Sequence, residues 1–168
     1  KGILKGTDIL LRKGIPRNHN SSLLYLIASL KQKNINQYLD SLLKMLTPNI
    51  FISLNNSEIF KYFCDDDLDY NRDIKEFLDW CKFYNEFIVF MKAEFILSYT
   101  KDIYLKNLSN NKITMLYQIY NSFENYKKYV CNLNTYKELY LLQDLISRNL
   151  SGYTEKGLNI YVINIHDE

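Results

Sequence analysis

Glycine and histidine are scarce in this sequence, which holds five glycines and two histidines among 168 residues. So few glycines leave little material for a phosphate-binding loop, and no Gly-x-x-x-x-Gly-Lys-Ser/Thr or Gly-x-Gly-x-x-Gly pattern occurs. His19 and His166 belong to no metal-binding pattern, so both are expected at the surface. The sequence predicts no catalytic residue, no metal site and no cofactor, and therefore no enzymatic activity. Two alternatives stay open: a carboxylate pair that context does not single out, or active-site residues outside this chain.

The three cysteines, Cys64, Cys81 and Cys131, are unevenly spaced and include no Cys-x-x-Cys pair. Buried free thiols in a reducing, intracellular compartment fit this pattern best. No signal peptide is visible, and the most apolar stretch, residues 77–99, contains five charged side chains, which argues against a membrane span. The chain begins without Met and stops directly after a strand-like run, so it is expected to be a fragment of a longer protein.

Charge is unevenly distributed, although the net charge is only +2. Residues 1–34 hold seven Lys or Arg against one Asp, which gives +6, and residues 35–79 hold nine acids against four bases, which gives −5. Residues 101–137 hold six Lys against two acids, which gives +4. Two basic segments therefore flank an acidic one. They either present solvated helix faces or combine into an anion-binding surface.

Apolar residues recur at three- and four-residue spacing in most of the chain, which predicts amphipathic helices. The predicted helices span residues 22–33, 36–46, 57–63, 73–99, 112–130 and a segment that begins near 135–139 and ends near 151. The short runs near 9–12, 50–54 and 158–165 favour β structure. The predicted fold is therefore mainly α: one domain over residues 1–168, a bundle of about six helices with a few short strands near the ends.

Local signals refine this prediction. Asn20 or Ser21 is available as the N-cap of the first helix, and Thr135 with Glu138 forms a capping-box pattern for the last one. The segment 73–99 is apolar nearly all round, which is typical of a helix covered by neighbours on several sides. We therefore expect this segment to be the central helix of the bundle.

An acidic segment at 65–76 has oxygen-bearing side chains at five of the ligand positions of an EF-hand calcium loop. Tyr70 stands where that loop needs a glycine, and Arg72 stands where it has an apolar residue. An acidic, solvated turn between helices is the preferred interpretation. Millimolar calcium is accordingly expected to leave the thermal midpoint unchanged.

Three stretches carry a family resemblance. Residues 11–28 combine an Arg-x-Gly-hydrophobic turn with a hydrophobic helix, residues 49–60 hold a Phe-Ile run before Asn56-Ser57, and the third stretch runs from 120–126 through 142–147 to 156–165. In this order they resemble the large subunit of the poxvirus-type early transcription factor of large nucleocytoplasmic DNA viruses. In that family an Asn-Gly pair stands where this chain has Asn56-Ser57.

The resemblance implies a role in recognising early promoters and in recruiting the viral RNA polymerase. It implies no catalytic residues, because the ATPase of that factor belongs to its other subunit. The implied partners are promoter DNA and either the other subunit or the polymerase, and the implied place of action is the host cytoplasm, in the viral factory, or the virion. The alternative is a helical module that binds only proteins.

A DNA-binding role would use the basic segments, one around a Gly-Pro turn and one along the predicted helix 112–130. The candidate contact residues are Arg12, Lys13, Arg17, Lys112, Lys127 and Lys128. Glu124 precedes Lys128 by four residues and is expected to pair with it, whereas Lys127 has no such partner in the sequence. About four to six phosphate contacts would give a slope of roughly −4 to −5 for log affinity against log salt concentration.

Overall fold

Helices dominate the described residues, which in this computed structural model are 3–5, 8–10, 20–65, 74–91 and 111–148. The helices are α1 (Ser22–Leu30), α2 (Ile35–Met45), α3 (Pro48–Ser53), α4 (Glu58–Phe63), α5 (Ile74–Phe83), α6 (Asn85–Phe90), α7 (Asn111–Cys131) and α8 (Leu139–Ser147). A 3-10 turn, Leu54–Ser57, joins α3 to α4. The predicted mainly α bundle is confirmed.

Two short strands form an antiparallel hairpin near the N-terminus. Strand β1 (Ile3–Lys5) pairs with β2 (Asp8–Leu10), with Leu4 opposite Ile9. This agrees with the strand predicted near residue 9. The predicted strand at 158–165 lies outside the described residues.

The centre of the bundle is α7, which packs against α2, α3, α4 and α5. The inward stripe that the spacing predicts on this helix is buried, at 0 to 3% exposure. Its members are Ile113, Leu116, Ile119, Phe123, Tyr126 and Val130. From α3, Phe51 places its ring 5.7 Å from that of Phe123 and 5.4 Å from that of Tyr126. The core therefore forms where several short helices meet one long one.

The segment 73–99 does not have the central place that we expected from its composition. Its described part breaks at Tyr84 (φ −100°, ψ 42°) into α5 and α6, and residues 92–99 lie outside the described residues. Phe83 is 79% exposed and Phe90 is 67% exposed, and the helix that contacts most neighbours is α7, so the expectation that this segment is the central helix is wrong. A helix that is apolar on all sides gives no sequence signal for which of its faces will pack against other helices.

The run 50–54, expected to favour β structure, is helical. Thr47 accepts a hydrogen bond from the backbone N–H of Ile50 (3.4 Å), and Pro48 occupies the first helical position. Proline fixes φ near the helical value and needs no acceptor there, so Thr47-Pro48 ends α2 and at the same time begins α3. The helix also buries Phe51 against α7, which further favours helix over β structure in this run.

Ser21 occupies the N-cap position of α1, as predicted, whereas the start of α8 differs from the prediction. Ser21 donates its hydroxyl to the carbonyl of Leu133 (2.7 Å), and no side-chain capping bond is formed at the start of α1 or of α8. The capping-box prediction is therefore wrong, because Glu138 itself takes the N-cap position of α8. Lys137, only 5% exposed, donates instead to the carbonyls of Tyr129 and Asn132 at the end of α7.

The cysteines are all free thiols, as predicted. Only Cys81 is buried, and burial raises the pKa of its thiol to about 12. Cys64 is half-buried and Cys131 is exposed, so the prediction of burial holds for one thiol in three. Among the described residues, no helix is long and apolar enough to cross a membrane.

Candidate functional site

The predicted DNA-contact residues do not assemble into one described face. Arg12, Lys13 and Arg17 lie outside the described residues. Lys112 is exposed at the beginning of α7, and Lys128 is exposed near its end. In an α-helix, sixteen residues separate two side chains by about 24 Å along the axis and by about 160° around it. Lys112 and Lys128 therefore point to different sides of the helix.

Lys127 has a partner that the sequence did not suggest. Its ammonium group lies 3.0 Å from Glu124 Oε1 and 5.2 Å from the centre of the Phe123 ring. The expected pair between Glu124 and Lys128 is wrong, because Lys127 binds the same carboxylate at three-residue spacing. Within the described part of the chain, the Lys128 side chain has no ion-pair partner.

The acidic segment is anchored at its first residue. Asp65 accepts a hydrogen bond from the Asn121 side-chain amide (2.9 Å) and donates its backbone N–H to Asn121 Oδ1 (3.1 Å). Asn121, expected on the polar side of α7, is consequently buried at 9% exposure. Residues 66–73 lie outside the described residues, so the absence of calcium binding stays a prediction. Among the described residues, no group of His, Cys, Asp or Glu side chains is placed to hold a metal ion.

Two of the three resemblance stretches meet at the 3-10 turn. Asp144 accepts a hydrogen bond from the Asn55 backbone N–H (2.8 Å), and the Asn55 amide donates to the carbonyl of Tyr140 (2.8 Å). Arg148 binds both oxygens of Asp144, at 3.1 and 2.9 Å, and also the carbonyl of Ser53 (3.0 Å). The hydrogen bonds from Arg148 lower the pKa of Asp144. This network ties α8 to the end of α3.

A cleft of about 540 Å³ lies between α5 and α7, and sequence reasoning did not find it. Its aromatic lining consists of Trp80, Phe83, Tyr84 and Tyr120, and its charged lining consists of Glu76, Asp79, Glu124 and Lys127. The Trp80 ring lies 5.3 Å from that of Tyr84 and 5.7 Å from that of Tyr120. Three carboxylates against one ammonium give this cleft a formal net charge of −2.

A second depression of about 490 Å³ adjoins the cleft. Both are lined by Phe83, Tyr84 and Lys127, and the second one adds Leu43 and Leu46 from the end of α2. Burial, and after it the charge of Glu124, raise the pKa of Tyr84, so its phenol is neutral at physiological pH. The cleft is therefore acidic and aromatic, whereas the second depression has two lysines, Lys44 and Lys127, in its lining.

One signal in the sequence points to the α5 wall of the cleft. Glu76, Asp79, Trp80 and Phe83 occupy positions i, i+3, i+4 and i+7, which places carboxylates and large rings on one helix face. The other wall comes from residues about 40 positions further along the chain. A comparison of the chain with models of protein families, with curated proteins and with solved structures gives no match.

Proposed function

We propose that this chain is a non-catalytic domain of a viral early transcription initiation factor that helps to recruit the viral RNA polymerase by contacting a protein partner. The partner is the other subunit of the factor or the polymerase, and the place of action is the viral factory in the host cytoplasm, or the virion. The three resemblance stretches support membership of such a factor. Two of them contact each other through Asn55 and Asp144.

Exposed aromatic surface on α5 and α6 carries the protein-binding part of this proposal. Phe83 and Phe90 are 79% and 67% exposed, and Val89 is 48% exposed. Phe83 and Phe90 stand seven residues apart, and the backbone bonds Tyr84 N–H to Trp80 O (2.9 Å) and Ile88 N–H to Tyr84 O (3.1 Å) continue the helical pattern across the break. Phe87 and Ile88, which lie between these two rings in the sequence, are buried, so both exposed rings lie on the side of the segment that faces away from the core. Exposed apolar patches with aromatic rings are typical of protein interfaces.

The test measures binding to the other subunit of the factor and to the RNA polymerase encoded by the same genome. Replacing both rings, Phe83→Ala with Phe90→Ala, is expected to weaken binding at least about tenfold, because aromatic residues dominate interface energies. Biolayer interferometry with the immobilised chain gives the dissociation constants.

A matched control replaces Tyr62 and Tyr136 with Ala. These rings are 63% and 64% exposed and lie outside α5 and α6. The control is expected to bind like the parent chain. Equal weakening by both double variants, or no binding of either protein by the parent, contradicts the proposal.

Direct contact with promoter DNA is a second candidate function, favoured by the net charge of +6 in residues 1–34. Fluorescence anisotropy with an AT-rich duplex at two salt concentrations tests it. Arg17→Ala and Lys127→Ala should each reduce a slope of roughly −4 to −5 by about one if both residues contact phosphates. Since Glu124 already neutralises Lys127, we expect only Arg17→Ala to do so. A duplex that fails to bind at low salt removes this candidate.

A further inference from the structure

The cleft between α5 and α7 has the chemistry of a cation-binding site. Carboxylates and aromatic rings both attract organic cations. Each wall of this cleft has carboxylate and aromatic side chains. Phe83 is the most exposed aromatic residue in its lining, and the centre of its ring lies 4.8 Å from the centre of the Tyr84 ring. Phosphate groups and acidic peptides are disfavoured here, because the lining has a formal charge of −2.

One end of the cleft already holds a cation of this chain. Glu124 and the Phe123 ring together bind the Lys127 ammonium group, which leaves the acids of α5 for another occupant. Asp79 meets Lys82 at 3.4 Å, but both side chains are more than 60% exposed, and such pairs contribute little. Glu76 is exposed and has no ion-pair partner among the residues that the structure describes.

We propose that this cleft binds the side chain of an arginine presented by the protein partner. A guanidinium group is planar, so it stacks on an exposed ring such as Phe83 and at the same time donates paired hydrogen bonds to Glu76 or Asp79. The adjoining depression is less suited to a cation, because Lys44 and Lys127 line it beside Leu43. The inference rests on the protein-binding function proposed above and names the chemistry of the partner.

The single tryptophan of the chain makes the test specific, because Trp80 lines this cleft. Its indole N–H gives one resolved signal in a nitrogen–proton correlation spectrum, and this signal is followed while Nα-acetylarginine methylamide is added to the intact chain. The arginine probe should shift the signal in a saturable way. The neutral citrulline analogue should leave it in place, and the lysine analogue should bind more weakly.

Matched variants locate the interaction. Glu76→Gln with Asp79→Asn should weaken binding of the arginine probe at least about fivefold, as expected for loss of a partly exposed cation contact. The control, Asp40→Asn with Glu86→Gln, changes the net charge equally at two exposed acids that do not line the cleft. Phe83→Ala should also weaken binding, whereas Phe90→Ala should not, because Phe90 does not line the cleft.

Several outcomes overturn the inference. These are an unshifted indole signal, equal binding of the citrulline or lysine analogue, and equal weakening by the control variants. A signal that shifts with protein concentration alone would make a second copy of this chain the occupant and would overturn it as well. If the probe fails to bind while the polymerase or the other subunit still binds, the arginine site is wrong and the proposed function stands. If the probe binds while neither the polymerase nor the other subunit binds, the arginine site stands and the proposed function is wrong.

Discussion

At the scale of single residues, the most unusual backbone among those that the structure describes lies in the 3-10 turn. Asn55, Asn56 and Ser57 have φ values of 45°, 55° and 72°, so three consecutive residues other than glycine are left-handed. Asparagine tolerates this region better than other residues, but serine does not share that tolerance. Ser57 donates its hydroxyl to the carbonyl of Ile52 (2.7 Å), which offsets part of the cost.

Replacing Ser57 by Gly and by Ala measures the backbone cost, because both variants lose the hydroxyl. We expect the Gly variant to be more stable than the Ala variant by about 1 kcal/mol, since glycine adopts positive φ without a steric penalty. At Ser41, inside α2, the order should be reversed by about 1 kcal/mol. Urea unfolding followed by circular dichroism gives the four free energies. The same order at both sites would contradict the left-handed geometry at Ser57.

Asp144 should make stability depend on pH. Its pKa is lowered because Arg148, and after it the backbone of Asn55, donate hydrogen bonds to the carboxylate. A carboxyl whose pKa is lower in the folded than in the unfolded state contributes stability above the unfolded value of about 3.9 and loses it as the pH falls through the folded value. In the wild type, the free energy of unfolding should therefore fall as the pH drops below about 4.

The variant Asp144→Asn tests this dependence. It should be less stable than the wild type by about 1–2 kcal/mol at pH 7, because a charge-assisted hydrogen bond is weakened. It should also lose less stability than the wild type between pH 5 and pH 3, because the group whose pKa is lowered is no longer present. Asp40→Asn, at an exposed site, is the control and should keep the wild-type dependence. Acid profiles that coincide for Asp144→Asn and the wild type would exclude this role.

At the scale of elements, spacing predicted α7 well and the segment 73–99 poorly. In α7 the apolar residues at helical spacing are the ones that are buried, because the neighbouring helices cover that stripe. The break at Tyr84 has no such local signal, since Asn85 and Glu86 differ little from residues inside other helices of this chain. Its cause lies in packing, where the Tyr84 ring contacts Trp80 at 5.3 Å and Phe123 at 5.6 Å. Contacts between helices are not encoded in the periodicity of one helix.

The central place of α7 predicts a large difference between two of its apolar residues. Phe123 is fully buried, and its ring contacts those of Phe51 and Trp80 at 5.7 and 6.2 Å. Phe123→Ala should cost about 3–5 kcal/mol, because it removes buried surface and leaves a cavity. Met115→Ala, at a residue that is 50% exposed, should cost less than about 1 kcal/mol. Thermal and urea unfolding measure the loss of stability in the two variants. Similar losses would contradict the assignment of α7 as the core helix.

At the scale of the whole molecule, charge along the sequence was a poor guide to the surface. The segment 101–137 has a net charge of +4, yet Lys127 pairs with Glu124 and Lys137 is buried against backbone carbonyls. Lys112 and Lys128 are exposed on different sides of one helix. The cleft could not be predicted, because its walls come from helices that are distant in the sequence. What the sequence did predict is the helical fold, because the three- and four-residue spacing of apolar residues is a local signal.

Hydrogen–deuterium exchange of the backbone amides, measured by mass spectrometry, tests most directly where a partner contacts this molecule. The chain is compared alone, with the RNA polymerase and other factor subunit of the same genome, and with an AT-rich duplex. Our account predicts slower exchange in α5 and α6, residues 74–90, when the proteins are added, and no change there with DNA. Unchanged exchange in 74–90 with the proteins, together with protection around Lys112 and Lys128 by the duplex, would contradict it.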